Sequence, residues 1–215
     1  MKYYSQHKQD EFIIDYFKSK RNGVFVDIGA HDGQTLSNTY TLEKELGWTG
    51  ICIEPMEHEY KKLVECRSAK TYNCAIYDTN GIEKFTMLEY DGYPDMLSGI
   101  AKDMSIVHMG HVLSEGSRMG AKRKVIDVPT RILNEILVEN NIYDIDFLSV
   151  DVEGAELKIL KSIDYNKFKI KVIVYENGEA DQPIRDFMKT KGYIFYKRLG
   201  IDDAWVSSRE YISKL

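Results

Sequence analysis

The run Asp27-Ile28-Gly29-Ala30-His31-Asp32-Gly33 closes a short apolar segment, VFVDI, with two glycines and a pair of carboxylates. Gly29 and Gly33 permit a tight turn and close backbone approach, and a helix beginning after such a turn offers free N–H groups to an anionic end of a ligand. A second apolar segment, GICIE, ends in Glu54 followed by Pro55. A carboxylate at that strand end is placed to take both hydroxyls of a ribose. A dinucleotide would need G-x-G-x-x-G, and here His31 and Asp32 stand where the second glycine leaves room for pyrophosphate. Asp27, Asp32 and Glu54 instead suit a nucleoside bearing an ammonium and a sulfonium, S-adenosylmethionine (SAM). The competing reading is an ordinary turn whose acids face solvent.

A second set of chemical residues lies far along the chain. Asp151 and Glu153 follow DFLSV, and Glu176 and Asn177 follow KVIVY. Methyl transfer from a sulfonium is an in-line displacement, so positioning supplies much of the rate. A poorly nucleophilic hydroxyl still needs a base or a metal to take its proton. Asp151, Glu176 and Asn177 form a hard oxygen set suited to Mg²⁺ or Mn²⁺. Without an ion, Asp151 or Glu153 is the expected general base. Glu153 has the alternative of capping the helix that starts near Gly154, and Glu156 suits the first turn of that helix. His108 and His111, three residues apart, share a face if their segment is helical, and are expected to touch substrate. The basic run Lys122, Arg123, Lys124 is either solvated charge or a grip for a phosphate.

The elements that must position these residues alternate in length. Strand-like segments at 24–28, 50–54, 72–77, 146–151 and 171–176 are short, apolar and often β-branched, as in a sheet covered on both faces. Helix-length segments at 35–46, 57–67, 130–140, 156–162 and 183–191 lie between them. Such alternation predicts a doubly wound α/β sheet, mostly parallel. The last two segments, 192–199 and 203–208, are separated by three residues, which permits an antiparallel hairpin and forbids a parallel crossover. Residues 91–124, rich in Gly, Met and Ser, are too long for a plain connection and are expected to form a substrate-side insertion loop in a single 1–215 domain.

Bulk properties narrow the partners. The chain has 215 residues, 43% hydrophobic and 29% charged, with formal net charge −5. That composition is globular, and its mildly acidic balance disfavours nucleic acid. No apolar run is long enough to span a bilayer, so no membrane insertion is expected. Cys52, Cys66 and Cys74 are odd in number with no C-x-x-C pair, which reads as reduced thiols and a cytoplasmic protein.

Five segments together resemble one family: YSQHKQDEFI, VFVDIGAHDGQTLSNT, LGWTGICIEP, NCAIYD and IDFLSVDVEGAELKIL. In this order and approximate spacing, over residues 3–196, they resemble the FkbM-type SAM-dependent methyltransferases. The resemblance implies a seven-stranded class I methyltransferase sheet, Rossmann-like, with the terminal hairpin as its last two strands. It implies O-methylation of a sugar, glycan or polyketide-type hydroxyl, so a small-molecule or glycan acceptor, a nucleotide sugar among them, is the expected partner, with a homodimer as the expected assembly. By position, Asp27, Gly29, His31, Asp32 and Gly33 would line the methionine end of SAM, Glu54 the ribose, and Asn73 and Ala75 the adenine, with Pro55 also expected to touch the cofactor. Ser5, Gln6, Gln9 and Asp10 resemble the family's amino-terminal lid over the cofactor. Lys8 stands where the family commonly has Gly. A non-carbohydrate hydroxyl, or a SAM-fold module that binds without turnover, are the rival functions.

Overall fold

The computed structural model describes residues 1–89 and 97–213. Strands β1 (Val24–Ile28), β2 (Thr49–Ile53), β3 (Lys70–Tyr72), β8 (Asp144–Val150), β9 (Lys169–Glu176), β10 (Tyr193–Leu199) and β11 (Asp202–Ser207) make one seven-stranded sheet, ordered β10-β11-β9-β8-β1-β2-β3. β11 runs antiparallel to both neighbours, β9 and β10; the other pairings are parallel. The expected class I methyltransferase sheet is therefore present, hairpin included. β1 pairs with β2 on one side and β8 on the other, the reversal that opens a crevice beyond the carboxyl strand ends.

The unbroken apolar runs reflect burial on both faces. Val26, Leu148 and Ile173 point into one core with Leu133 and Ile136 of α5 (Leu133–Glu139), Leu160 of α6 (Glu156–Ser162) and Met188 of α7 (Gln182–Thr190). Their neighbours Phe25, Phe147 and Val172 point into the other, with Ile13 of α1 (Gln9–Tyr16), Leu42 of α2 (Tyr40–Leu46) and Leu63 of α3 (Glu57–Cys66). Successive side chains of a strand alternate, so β1, β8 and β9 are apolar along most of their length.

A second sheet was not legible in the alternation. β4 (Ala75–Ile76), β7 (Lys122–Arg131), β5 (Gly81–Glu89) and β6 (Gly99–Ile100) pair in that order, and α4 (Ile106–Met119) links β6 to β7. The segment 72–77 thus divides: Tyr72 ends β3, whereas Ala75 and Ile76 pair with Thr130 and Arg131 in the second sheet. Residues 97–124 hold β6, α4 and the start of β7, while 91–96 lie outside the described residues. Phe85, Met87, Ile100 and Val128 join the first core, so this layer is packed architecture. The helix expected over 35–46 begins only at Tyr40, because Asp32 and the Ser37 hydroxyl take up the backbone N–H groups of a preceding turn. The helix expected over 130–140 is shortened by β7, which runs to Arg131. Within the described residues no helix is long and apolar enough to cross a membrane.

Candidate active site

At the crevice the chain encloses a cavity of about 330 Å³, inside the size range of small-molecule sites. Its first wall is the loop after β1. Gly29 has φ +87°, and a Cβ there would lie 1.8 Å from the Asp151 carbonyl oxygen, so only glycine lets the ends of β1 and β8 meet. The Glu54 carboxylate accepts from the His31 N–H (2.9 Å) and the Met56 N–H (2.8 Å) and borders the cavity. Burial pushes its pKa up to about 7 in spite of those two bonds. His31, at φ +49°, lies between Asp32 and Glu59, each 3.7 Å from a ring nitrogen and too far to be hydrogen-bonded. Burial opposes its charge, but Asp32, Glu59 and Glu54 outweigh that and hold its pKa above the usual value.

Asp27 is buried and accepts from the Thr39 hydroxyl at 2.5 Å; burial raises its pKa, and Arg67, Thr39 and Ser149 only partly offset the rise. Arg67, with a fully enclosed side chain, pairs with Glu43 (2.7 Å) and donates to the Gly33 carbonyl and the Thr39 hydroxyl. It pins the 33–39 turn in place. At the rim, Gln9 donates to Asp202 at 2.5 Å, which closes the amino-terminal segment over the carboxyl strand ends, with Gln6 beside it on the wall.

The opposite wall is more acidic. Asp151, Glu153 and Glu176 each present an oxygen within 4.8 Å of the others'. Enclosure in the crevice raises all three pKa values, although Asp151 itself is exposed to the open cavity, and repulsion by neighbouring acids adds to the rise for Asp151 and Glu153; Glu156 and Asp202 add to it for Glu176. Glu156 is committed elsewhere: one carboxylate oxygen accepts from the Val152 and Gly154 N–H groups. Capping the turn is therefore its task, which leaves Glu153 for the cavity. Gly154, at φ +119°, passes so near Asp103 that a Cβ would sit 2.7 Å from its carbonyl oxygen, and this contact seats the second sheet against the acidic loop. From that layer α4 carries His108, whose Nδ1 is 3.1 Å from Glu153 and whose Nε2 is 3.0 Å from the Leu97 carbonyl oxygen.

The expected residues divide by position. Gln9, Asp27, Gly29, His31, Glu54, Pro55 and Ala75 line the cavity wall around the β1 and β2 ends, where the methyl donor was expected. Asp151, Glu153, Glu176, His108 and His111 line the other side. Four residues are placed elsewhere. Asp32 caps the following turn, accepting from Gln34 and Thr35, and Gly33 packs toward Leu63 and Arg67. Asn73 donates to the Glu54 and Pro55 carbonyls, bracing the strand end that bears Glu54. Asn177 donates to Asp203 (2.8 Å) and accepts from the Asp181 N–H (2.6 Å), so the oxygen cluster expected to include it has Glu153 in its place. Asp202 and Asn38 were not foreseen. Asp202 fell in the three-residue connector of the expected hairpin, whereas the structure makes it the first residue of β11 and a residue of the cavity wall.

The Methyltransferase FkbM domain family matches residues 27–195. Among solved structures, the Methyltransferase FkbM of Methylobacillus flagellatus KT aligns with TM-score 0.48 and 13% identity, over 87% of this chain and 44% of that one. The METTL16 MTase domain aligns with TM-score 0.47 and 14% identity, over 92% and 65%. The human methyltransferase 10 domain containing protein gives 0.45 and 11%, over 92% and 79%. This chain thus spans less than two thirds of the length of the first two. A search of curated proteins finds no match. The family match covers most of the chain, and the protein belongs to the FkbM methyltransferase domain family.

Proposed function

We propose that this chain transfers a methyl group from SAM to a hydroxyl of a carbohydrate, either a nucleotide-linked sugar or a glycan. The observation that carries the reading is the convergence of Asp151, Glu153 and Glu176 across one cavity from Glu54 and the Gly29 loop. The donor-side wall fits SAM: Glu54 is a buried carboxylate bordering the cavity, and the His31 nitrogens and the Asn38 oxygen are enclosed without hydrogen-bond partners. When bound, SAM supplies an electrophilic methyl group on a sulfonium. Glu54 has acceptor capacity left for a ribose diol, and Ile53, Ala75 and Ile76 offer an apolar wall for a base. The surrounding carboxylates favour a cationic ligand.

On the acceptor side, a carboxylate whose pKa is raised by burial is better matched to a hydroxyl proton than a solvated one. Asp151 or Glu153 takes that proton, and His108 and His111 contact the acceptor. The same oxygens are also a hard ligand set for Mg²⁺ or Mn²⁺, here Asp151, Glu153 and Glu176. Three unpaired thiols support a cytoplasmic setting. The acidic cavity and net charge of −5 argue against a nucleic acid acceptor. S-adenosylhomocysteine release, measured against nucleotide sugars, free glycans, non-carbohydrate alcohols and RNA, tests the reading. Release with sugars alone supports it; release only with another class replaces the acceptor, and SAM binding without any release makes this a binding module.

A further inference from the structure

Polar side-chain atoms enclosed by protein almost always have partners, because leaving one unpaired costs the desolvation of that group. Among the described residues few such atoms lack one, and three of them, His31 Nδ1, His31 Nε2 and Asn38 Oδ1, belong to residues of the donor-side wall. Asn38 is only 8% exposed, and its setting fixes which end of its amide is unpaired. Ser149 stands directly beside Asp27 across the β1–β8 pairing, where its hydroxyl lowers the Asp27 pKa, and Asp27 also takes the Thr39 hydroxyl. A hydroxyl has a single proton; spent on the carboxylate, it leaves Ser149 Oγ an acceptor. Asn38 Nδ2 donates to that oxygen at 2.9 Å. The relay therefore runs from Asn38 through Ser149 to Asp27 and holds Oδ1 as an acceptor with no donor.

We infer that Asn38 is the side chain that takes the α-ammonium of the methyl donor, held in that orientation by Asp27 through Ser149. The inference rests on the SAM reading and deepens it. Polarity selects the group: an acceptor held by this relay suits the ammonium of an amino acid and not its carboxylate. Charge agrees, since Asp27 stands behind the relay and Glu43 and Arg67 neutralise one another beside it. A hydrogen bond to a charged group is worth about 10-fold or more in affinity.

The test is a calorimetric titration with S-adenosylhomocysteine and with its analogue lacking the α-amino group. The unaltered protein should prefer the amino ligand by about 10-fold or more. Asn38→Ala should lose most of that preference by weakening the amino ligand alone, and Asn38→Leu, which fills the space, gives the same reading if the alanine variant does not fold. Asn38→Asp keeps an acceptor and should keep the preference. Equal weakening of both ligands in the Ala or Leu variant, or no change in either, overturns the role of Asn38 while the SAM reading stands. If the unaltered protein binds neither ligand, the SAM reading falls first and takes this inference with it.

Discussion

The two walls of the cavity hold their carboxylates in different ways. On the donor side each acid has donors of its own: Glu54 has two backbone N–H groups and Asp27 has the Thr39 hydroxyl. On the acceptor side Asp151, Glu153 and Glu176 face one another, with His108 beside Glu153 at 3.1 Å, and the neighbouring backbone N–H groups of Val152 and Gly154 go to Glu156. A carboxylate that is already paired keeps its geometry and binds. One that is crowded by its own kind is poised to take up a proton or a cation. The proposed function makes the first wall the recognition half, and the second the half where charge changes during turnover.

The sharpest way to break this division is at Asp151. Asp151→Asn keeps the shape and removes the charge, so kcat should fall by about 100-fold or more while SAM affinity stays within about twofold. Loss of affinity equal to the loss of rate would merge the two walls. Chelation separates the two uses of the cluster: if EDTA silences the enzyme and Mg²⁺ or Mn²⁺ restores it, the oxygens hold an ion, whereas activity that survives EDTA leaves direct base catalysis. Next in size, Glu54→Ala should weaken SAM by about 10-fold with a smaller effect on kcat, because a lost hydrogen-bonded carboxylate acts on binding. Unchanged affinity would take Glu54 out of the site. His108→Ala should raise the acceptor KM several-fold and leave SAM binding alone; a change in SAM affinity would place α4 on the wrong wall.

The legibility of each wall follows from the same contrast. The donor wall is made by two consecutive strand–loop units, so the signals, glycines after VFVDI and an acid ending GICIE, lie close together in sequence and were readable. Asp151, Glu153 and Glu176 were readable for the same reason, as polar residues ending apolar runs. Asn177 misled because its neighbour Glu176 faces the cavity, and successive residues leaving a strand turn to opposite sides. The roof was the least legible part. β5 and β7 pair along nine residue pairs, but many of their side chains, such as Ile82, Lys84 and Lys124, are exposed, so neither strand stands out as an apolar run. The second sheet is specified by tertiary pairing between segments about forty residues apart, a signal that local periodicity does not carry.

The smallest expected effect concerns stability and pH, and it too reads the two walls apart. Glu54, Asp151, Glu153, Glu176 and Asp202 all have pKa values raised by burial, Glu54 from 4.5 to about 7. Between those limits the folded chain binds more protons than the unfolded one, so stability must fall as pH rises from about 5 to about 8. His31 acts in the same sense, because a histidine with a raised pKa stabilises below its unfolded value and loses that contribution as pH rises through the folded one. The acids held low, Asp32, Glu43, Asp146 and Asp203, act in the opposite sense, but their stabilisation is lost only as pH falls below about 4 and does not enter this window. Tm of the ligand-free protein should therefore decline by several degrees from pH 5 to pH 8. Glu54→Gln should flatten part of that decline, Glu176→Gln should flatten another part, and a saturating cationic donor should offset it most at the alkaline end, where the carboxylates are charged. A Tm that is level or rising over this range would show that neither the acceptor-side acids nor Glu54 hold protons through it, and the distinction between the two walls would then rest on their hydrogen bonds alone.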